Sequence, residues 1–335
     1  MKTKTKKIFA LYAICALLAL CVAAACFTAP VAAKAAEGES APVANWTDGL
    51  SYDADFTYGG GSGTAPDPYI ISSAEHLAQL AANQNDLSHI TGEGAMYSQS
   101  YSRMKYFRLA ADLDMQGKNW IPIGNLVNGT HTVAGADGDT VVTDKNRNVT
   151  FTGGFDFAGH KITGLSHTGY DGQYYGLFGA FAGGRINNPD VTFGNVSVRF
   201  TAGENSVFDD AIYAHAMVGG VVGFQLGSCT IGEAGGDTAV HVKFDGNFTV
   251  ENDRNSFAYI GGIVGYAMGG TLGSDGQAGT TTLVSEVGAS GSLKGLRSGG
   301  HMRMGGIFGD ATKDVVVGAR HADNDGNVII RFINN

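Results

Sequence analysis

Gly176-Leu177-Phe178-Gly179, Gly220-Val221-Val222-Gly223, Gly262-Ile263-Val264-Gly265 and Gly306-Ile307-Phe308-Gly309 are four versions of one short element. Their first glycines stand 44, 42 and 44 residues apart. A single Gly-x-x-Gly is a common turn. Four in near-fixed register, each enclosing two apolar residues, make an internal repeat, and a period of this length marks stacked structural units.

The surroundings of each element have the texture of short strands between turns. Tyr175, Val218, Ile260 and Met304 lie just before the motifs. Gly183-Gly184, Gly227-Ser228 and Gly269-Gly270 supply a second turn after three of them. Gly194-Asn195-Val196-Ser197-Val198-Arg199-Phe200 is nearly copied by Gly326-Asn327-Val328-Ile329-Ile330-Arg331-Phe332. A coil of parallel β-helix takes roughly 20 residues, so the period reads as two coils. The expected fold is all-β: a right-handed parallel β-helix-like solenoid of ~43-residue repeats with a short N-terminal capping helix. Glycines at its corners would supply positive φ and close backbone approach. With 51 glycines and only 16% charged residues, the composition suits such a stack better than an enzyme cleft.

The amino terminus carries an export signal. Lys2, Lys4, Lys6 and Lys7 precede an uncharged apolar run from Ile8 to Cys26, and Ala33-Lys34-Ala35 offers a small-residue cleavage site. That is the anatomy of a secretory signal peptide, with cleavage expected after Ala35. An uncleaved anchor and a lipoprotein lipidated on Cys26 are the alternatives. Removing residues 1–35 takes away five of the 22 basic residues and none of the 31 acids, leaving a formal charge of −14. Such a chain is a poor partner for nucleic acid or anionic membrane surfaces. Membrane contact is expected only through the signal peptide or a lipid anchor. Cys229 is the one cysteine outside the leader, so no internal disulfide can form, and it reads as a small buried residue.

Residues 36–50 are small and polar, and 36–57 read as a flexible mature N-terminus. Residues 58–125 read as a cap region. There Ser72 and Glu75 form a capping box, and Ala74, Leu77, Ala78, Leu80 and Ala81 fall at helical spacing, which predicts one helix over about 73–83. Such a helix can cover the end of a β stack. Residues 126–335 read as the solenoid, with polar insertions at 126–148 and 201–213, the first a loop or a protruding hairpin.

On these residues the chain resembles bacterial surface proteins that carry the GLUG motif, named for Gly-Leu-Phe-Gly, here residues 176–179 and their three variants. Gly63–Ser72, Asp112-Leu113-Asp114 with Trp120–Gly124, and Phe155-Asp156 with Gly159–Ile162 look like segments that precede such repeats. The resemblance spans about residues 60–320. It implies a β-helix-like array and a surface role. Some members carry immunoglobulin-degrading metalloprotease domains, but the repeat itself brings no catalytic residues. Gly176, Gly179, Gly220, Gly223, Gly262, Gly265, Gly306 and Gly309 are therefore structural candidates.

Catalytic signatures are missing from the sequence. It contains no His-Glu-x-x-His, nucleophile elbow or phosphate-binding loop. Asp112 and Asp114, at alternate positions of one strand, are the pair to weigh as glycosidase carboxylates, against a scaffold role in turns. Asp323 and Asp325, in Asp-Asn-Asp-Gly-Asn, resemble part of a calcium loop but lack its bidentate Glu, and Asp137-Gly138-Asp139 is shorter still. No cofactor is expected beyond that calcium candidate. The first expectation is a non-enzymatic exported or cell-surface scaffold, stalk or adhesin. Its partners would be host glycans, extracellular matrix or further repeats of the same protein. Tyr170, Tyr174, Phe208 and Tyr213 could stack on sugars or belong to the core. The alternatives are a carbohydrate-active enzyme and the N-terminal piece of a larger exported protein, the latter because the fourth unit stops short of a full period.

Overall fold

The computed structural model describes residues 44–90, 100–133, 140–168, 173–200, 215–233, 235–252, 257–274, 279–289, 292–297, 301–312, 314–318 and 328–334. The signal region, Cys26, Asp137, Asp139, Tyr170, Phe208, Tyr213, Asp323 and Asp325 lie outside them. The described chain is mostly β, with parallel sheets and one short helix.

Sheet A joins, in chain order, Tyr69–Ile71, Tyr106–Leu109, Gly154–Asp156, Arg185–Asn187, Thr230–Ile231, Gly270–Leu272 and Val315–Val317. Sheet B contains Leu113–Asp114, Ile162–Thr168, Asp190–Phe200, Thr238–Phe244, Asn247–Asn252, Thr281–Val287, Ser292–Arg297 and Val328–Asn334. Sheet C orders Tyr174–Tyr175, His215–Val218, Phe257–Gly261 and His301–Gly305, and sheet D orders Phe178–Ala182, Val222–Leu226, Val264–Met268 and Phe308–Ala311. Two strands of sheet A fall inside residues 58–125, so that sheet begins well before residue 126. The insertion at 126–148 belongs to an antiparallel hairpin of Asn125–Val133 with Thr140–Val149.

Register explains the period. Val222 pairs with Phe178 and with Val264, and Val264 pairs with Phe308. Met217 pairs likewise with Tyr174 and Tyr259. Each strand therefore meets its equivalent one full repeat on. A period builds one layer carrying a strand in every sheet, which corrects the expectation of two coils. The motif turn itself is bonded from layer to layer: Val221 N donates to Ile263 O at 2.9 Å and Ile263 N to Ile307 O at 3.1 Å.

The core follows from alternation. Thr238–Phe244 puts Val240, Val242 and Phe244 inside and Ala239, His241 and Lys243 outside, as a half-buried strand of β-branched residues should. Leu177, Val221 and Ile263 stack as one file without exposure, continued by Ile307. Phe193 stacks on Phe244 with centroids 5.8 Å apart. Each such side chain contributes roughly 1.5–3 kcal/mol on full burial. Cys229 lies in the same core, and burial pushes its thiol up to about 12, so it is unreactive.

The helix, α1, runs from Ala74 to Asn85 and is capped one residue later than expected: Ser73 Oγ accepts from His76 N at 3.3 Å. Ser72 instead donates its backbone N–H to His76 Nδ1. The Glu75 carboxyl is held below its usual range by its own backbone N–H and by Ser73. Leu77, Leu80 and Ala81 enter the core beside Ile71 and Phe107. Polar residues of α1 saturate neighbouring backbone: Gln84 Nε2 donates to Thr150 O, and Asn85 bonds both Pro122 O and Gly124 N.

Candidate functional site

The eight motif glycines are present for space rather than for conformation. Among the eight only Gly176 has a positive φ, and at 158° it is nearly extended, whereas the second-turn glycines Gly183, Gly227, Gly269 and Gly270 supply the positive φ expected of corners. A methyl on Gly223 would lie 2.8 Å from Met217 O and from Tyr175 N. On Gly262 it would enter the Gly306 carbonyl, and on Gly306 the Phe332 ring. These residues let successive layers touch and carry no chemistry.

The chemistry-bearing groups collect on the outer face of sheet B. Parallel register lines up Asp112, Lys161, Asp190 and His241 in one file, and Asp114, Thr163, Thr192, Lys243 and Glu286 in the next. Over strands Ile162–Thr168 and Asp190–Phe200 the outward residues shrink to Thr163, Gly164, Thr192 and Gly194. A groove of about 470 Å³ opens there, walled by Lys161, Asp190, His241, Lys243 and Asp245. The strand pairing is irregular at this point, slipping between Val191 and Phe193 and again between Phe193 and Val196. Irregular pairing of this kind bends a strand and re-aims its side chains.

Salt bridges hold the walls. His241 Nδ1 lies 3.0 Å from Asp190 Oδ1 and its Nε2 lies 3.4 Å from Glu286 Oε2. Lys243 Nζ is 2.9 Å from Asp245 and 3.8 Å from Glu286. The Asp190 hydrogen bond raises the His241 pKa, with Glu286 adding to it against partial burial. A carboxylate at each ring nitrogen favours the charged form of His241, and among the described residues it is Glu286 rather than a hydroxyl that faces Nε2. Asp190 and Glu286 hold opposite sides of one ring and do not converge. Among the described residues no group of three His, Cys, Asp or Glu side chains could hold a metal ion.

Asp112 and Asp114 both have scaffold contacts. Asp112 accepts from Lys161 N and faces His160 Nδ1 at 3.3 Å, and Asp114 Oδ1 accepts from Gln116 N at 2.8 Å across a turn. His167 is buried, its ring nitrogens 2.9 Å from Trp120 O and 3.2 Å from Gly176 O, and burial lowers its pKa to about 4.

A second feature escaped the sequence reading. Met217 and Phe224, Tyr259 and Tyr266, Arg303 and Asp310 each stand three residues before and four after a motif's first glycine. They line up outside the main core, where Tyr174, Phe224, Tyr266 and Tyr259 form a ring ladder ending on the Arg303–Asp310 ion pair. Tyr174 is buried at the base of this ladder.

No family model matches the chain. Over 142 residues it is 28% identical to a protein of Evansella cellulosilytica named "Putative Gly-rich membrane protein", a match that takes in 42% of this chain and 13% of that protein. A crystal structure from Bacteroides ovatus, described as a "putative immunoglobulin A1 protease", aligns with 83% of this chain and 87% of its own at 14% identity and a TM-score of 0.30. That likeness is too distant to bear on fold or function. Among the described residues no helix is long and apolar enough to cross a membrane.

Proposed function

We propose that this chain is a non-enzymatic exported or cell-surface protein of the GLUG-motif kind. Its stack would be a right-handed parallel β-helix-like solenoid serving as scaffold, stalk or adhesive surface. One observation carries the reading: each repeat pairs in parallel with its equivalent in the next, so sequence length is converted into layers. Such quasi-one-dimensional stacks present long faces and suit spacing and display. The right hand follows from the strong preference of parallel crossovers. Export rests on the basic-apolar leader, and a strongly acidic mature chain suits a dispersed extracellular protein.

Two measurements test it. Inserting three further copies of residues 220–261 should lengthen the particle in solution scattering by about 15 Å, from the ~4.8 Å strand spacing. An unchanged maximum dimension would remove the stalk. Immobilised host glycans and matrix proteins should retain the protein above a charge-matched control, and no retention would remove the adhesive role.

A carbohydrate-active enzyme is the second reading, favoured by the polar groove on sheet B. Cleavage of any member of a polysaccharide panel, lost on Asp190→Asn, would establish it in place of the first.

A further inference from the structure

The groove on sheet B is empty space rather than a crease between side chains. A methyl built on Gly194 meets nothing closer than Leu165 O, at 3.6 Å. Gly164, across the floor, is different: its φ is +67° and the Asp114 carboxylate lies over it. The floor is hydroxyl and bare backbone, and Phe193 turns its ring into the core. The lining mixes polar and apolar surface in near-equal parts, which suits an amphipathic ligand better than a wholly apolar one.

The walls alternate fixed donors and acceptors. Asp190 and Asp245 are held by His241 and Lys243, so their remaining lone pairs are oriented acceptors. Lys161 differs from Lys243. Its ion pair with Asp112 is loose, at 4.0 Å, and its side chain is 53% exposed. It is the wall cation best placed to donate to a bound anion. A compact dianion would meet Asp190 and Asp245 at close range. A single carboxylate beside Lys161, which stands between Asp112 and Asp190, meets less of this repulsion than a dianion, and the ligand's hydroxyls can spread over the acids and threonines.

We propose that this groove binds an oligosaccharide containing uronic acid, with the sugar carboxylate on Lys161 and sugar hydroxyls on Asp190, Asp245 and Thr192. The inference rests on the adhesive reading and names its ligand. Calorimetric titration with short galacturonate, mannuronate, guluronate and glucuronate oligomers, beside neutral galactose and glucose oligomers, tests it. At least one uronate should bind, and its neutral counterpart should bind about tenfold more weakly, the loss of one charge-assisted contact. Lys161→Gln should cost the same factor. Gly194→Val should fill the groove and abolish binding while leaving the thermal midpoint in place. Absence of uronate binding, equal binding of neutral sugars, or binding indifferent to both substitutions would overturn the proposal. Retention on other glycans or on matrix would then leave the adhesive reading standing, whereas no retention on any surface would remove both.

Discussion

Gly223 and Gly194 illustrate two opposite uses of a missing side chain. Around Gly223 three backbone atoms lie within 3.0 Å of where a methyl would sit. Gly223→Ala should cost about 1–3 kcal/mol of stability, the range for overpacking. Chemical denaturation would show it, and an unshifted midpoint would mean the layers can part without penalty. His241 makes a second residue-scale case. It is faced by Asp190 and Glu286, with Lys243 next to it on the same strand and bonded to Glu286. Its folded pKa is raised, so its contribution is full below the unfolded value near 6.5 and is lost as pH rises through the folded value. His241→Gln should therefore destabilise more at about pH 5 than at about pH 8. His167 acts in the other direction: burial keeps it neutral down to about 4, so stability falls as pH drops from 6.5 toward that value. His241→Gln should leave this acid-side loss in place, and denaturation curves across the range would separate the two.

Among the elements, α1 is bound to the stack by both apolar and polar contacts. Leu80 is fully buried, and Leu80→Ala should cost about 2–5 kcal/mol. Ser73→Ala removes only the cap, at about 1 kcal/mol, whereas Ser72→Ala should spare it. Equal losses for the two serines in thermal unfolding would mean that the capping position is wrong. The helix was legible because its apolar spacing is local. Its cap was misread by one residue because Ser72 and Ser73 are chemically equivalent in sequence, and only the backbone angles of Ser73 distinguish them.

For the molecule as a whole, the strand Val328–Asn334 matters most. It borders sheet B, pairing with Thr281–Val287, and it exposes Ile330 and Phe332, the latter by 62%. Both stand in register with the inward Leu283 and Ser285, so apolar side chains at inward positions are exposed among the described residues. An open apolar edge invites association. The double substitution Ile330→Lys and Phe332→Lys should lower concentration-dependent association in light scattering. If wild type is already monodisperse at high concentration, the edge is not sticky.

The sequence by itself determined the repeat, its β character and the existence of α1, because each depends on spacing along a short stretch of chain. The tertiary structure alone decided that one period is one layer, since that depends on which strand pairs with which. It also decided the groove. Lys161, Asp190 and His241 stand 29 and 51 residues apart, an uneven spacing that hides the file they form. Phe224, Tyr259 and Tyr266 of the ring ladder stand at constant offsets from the motif glycines and could have been read from them, whereas Tyr174 is one residue off that offset. The groove could not, because its floor depends on an irregular pairing at Phe193 and its walls on three strands brought side by side by hydrogen bonding.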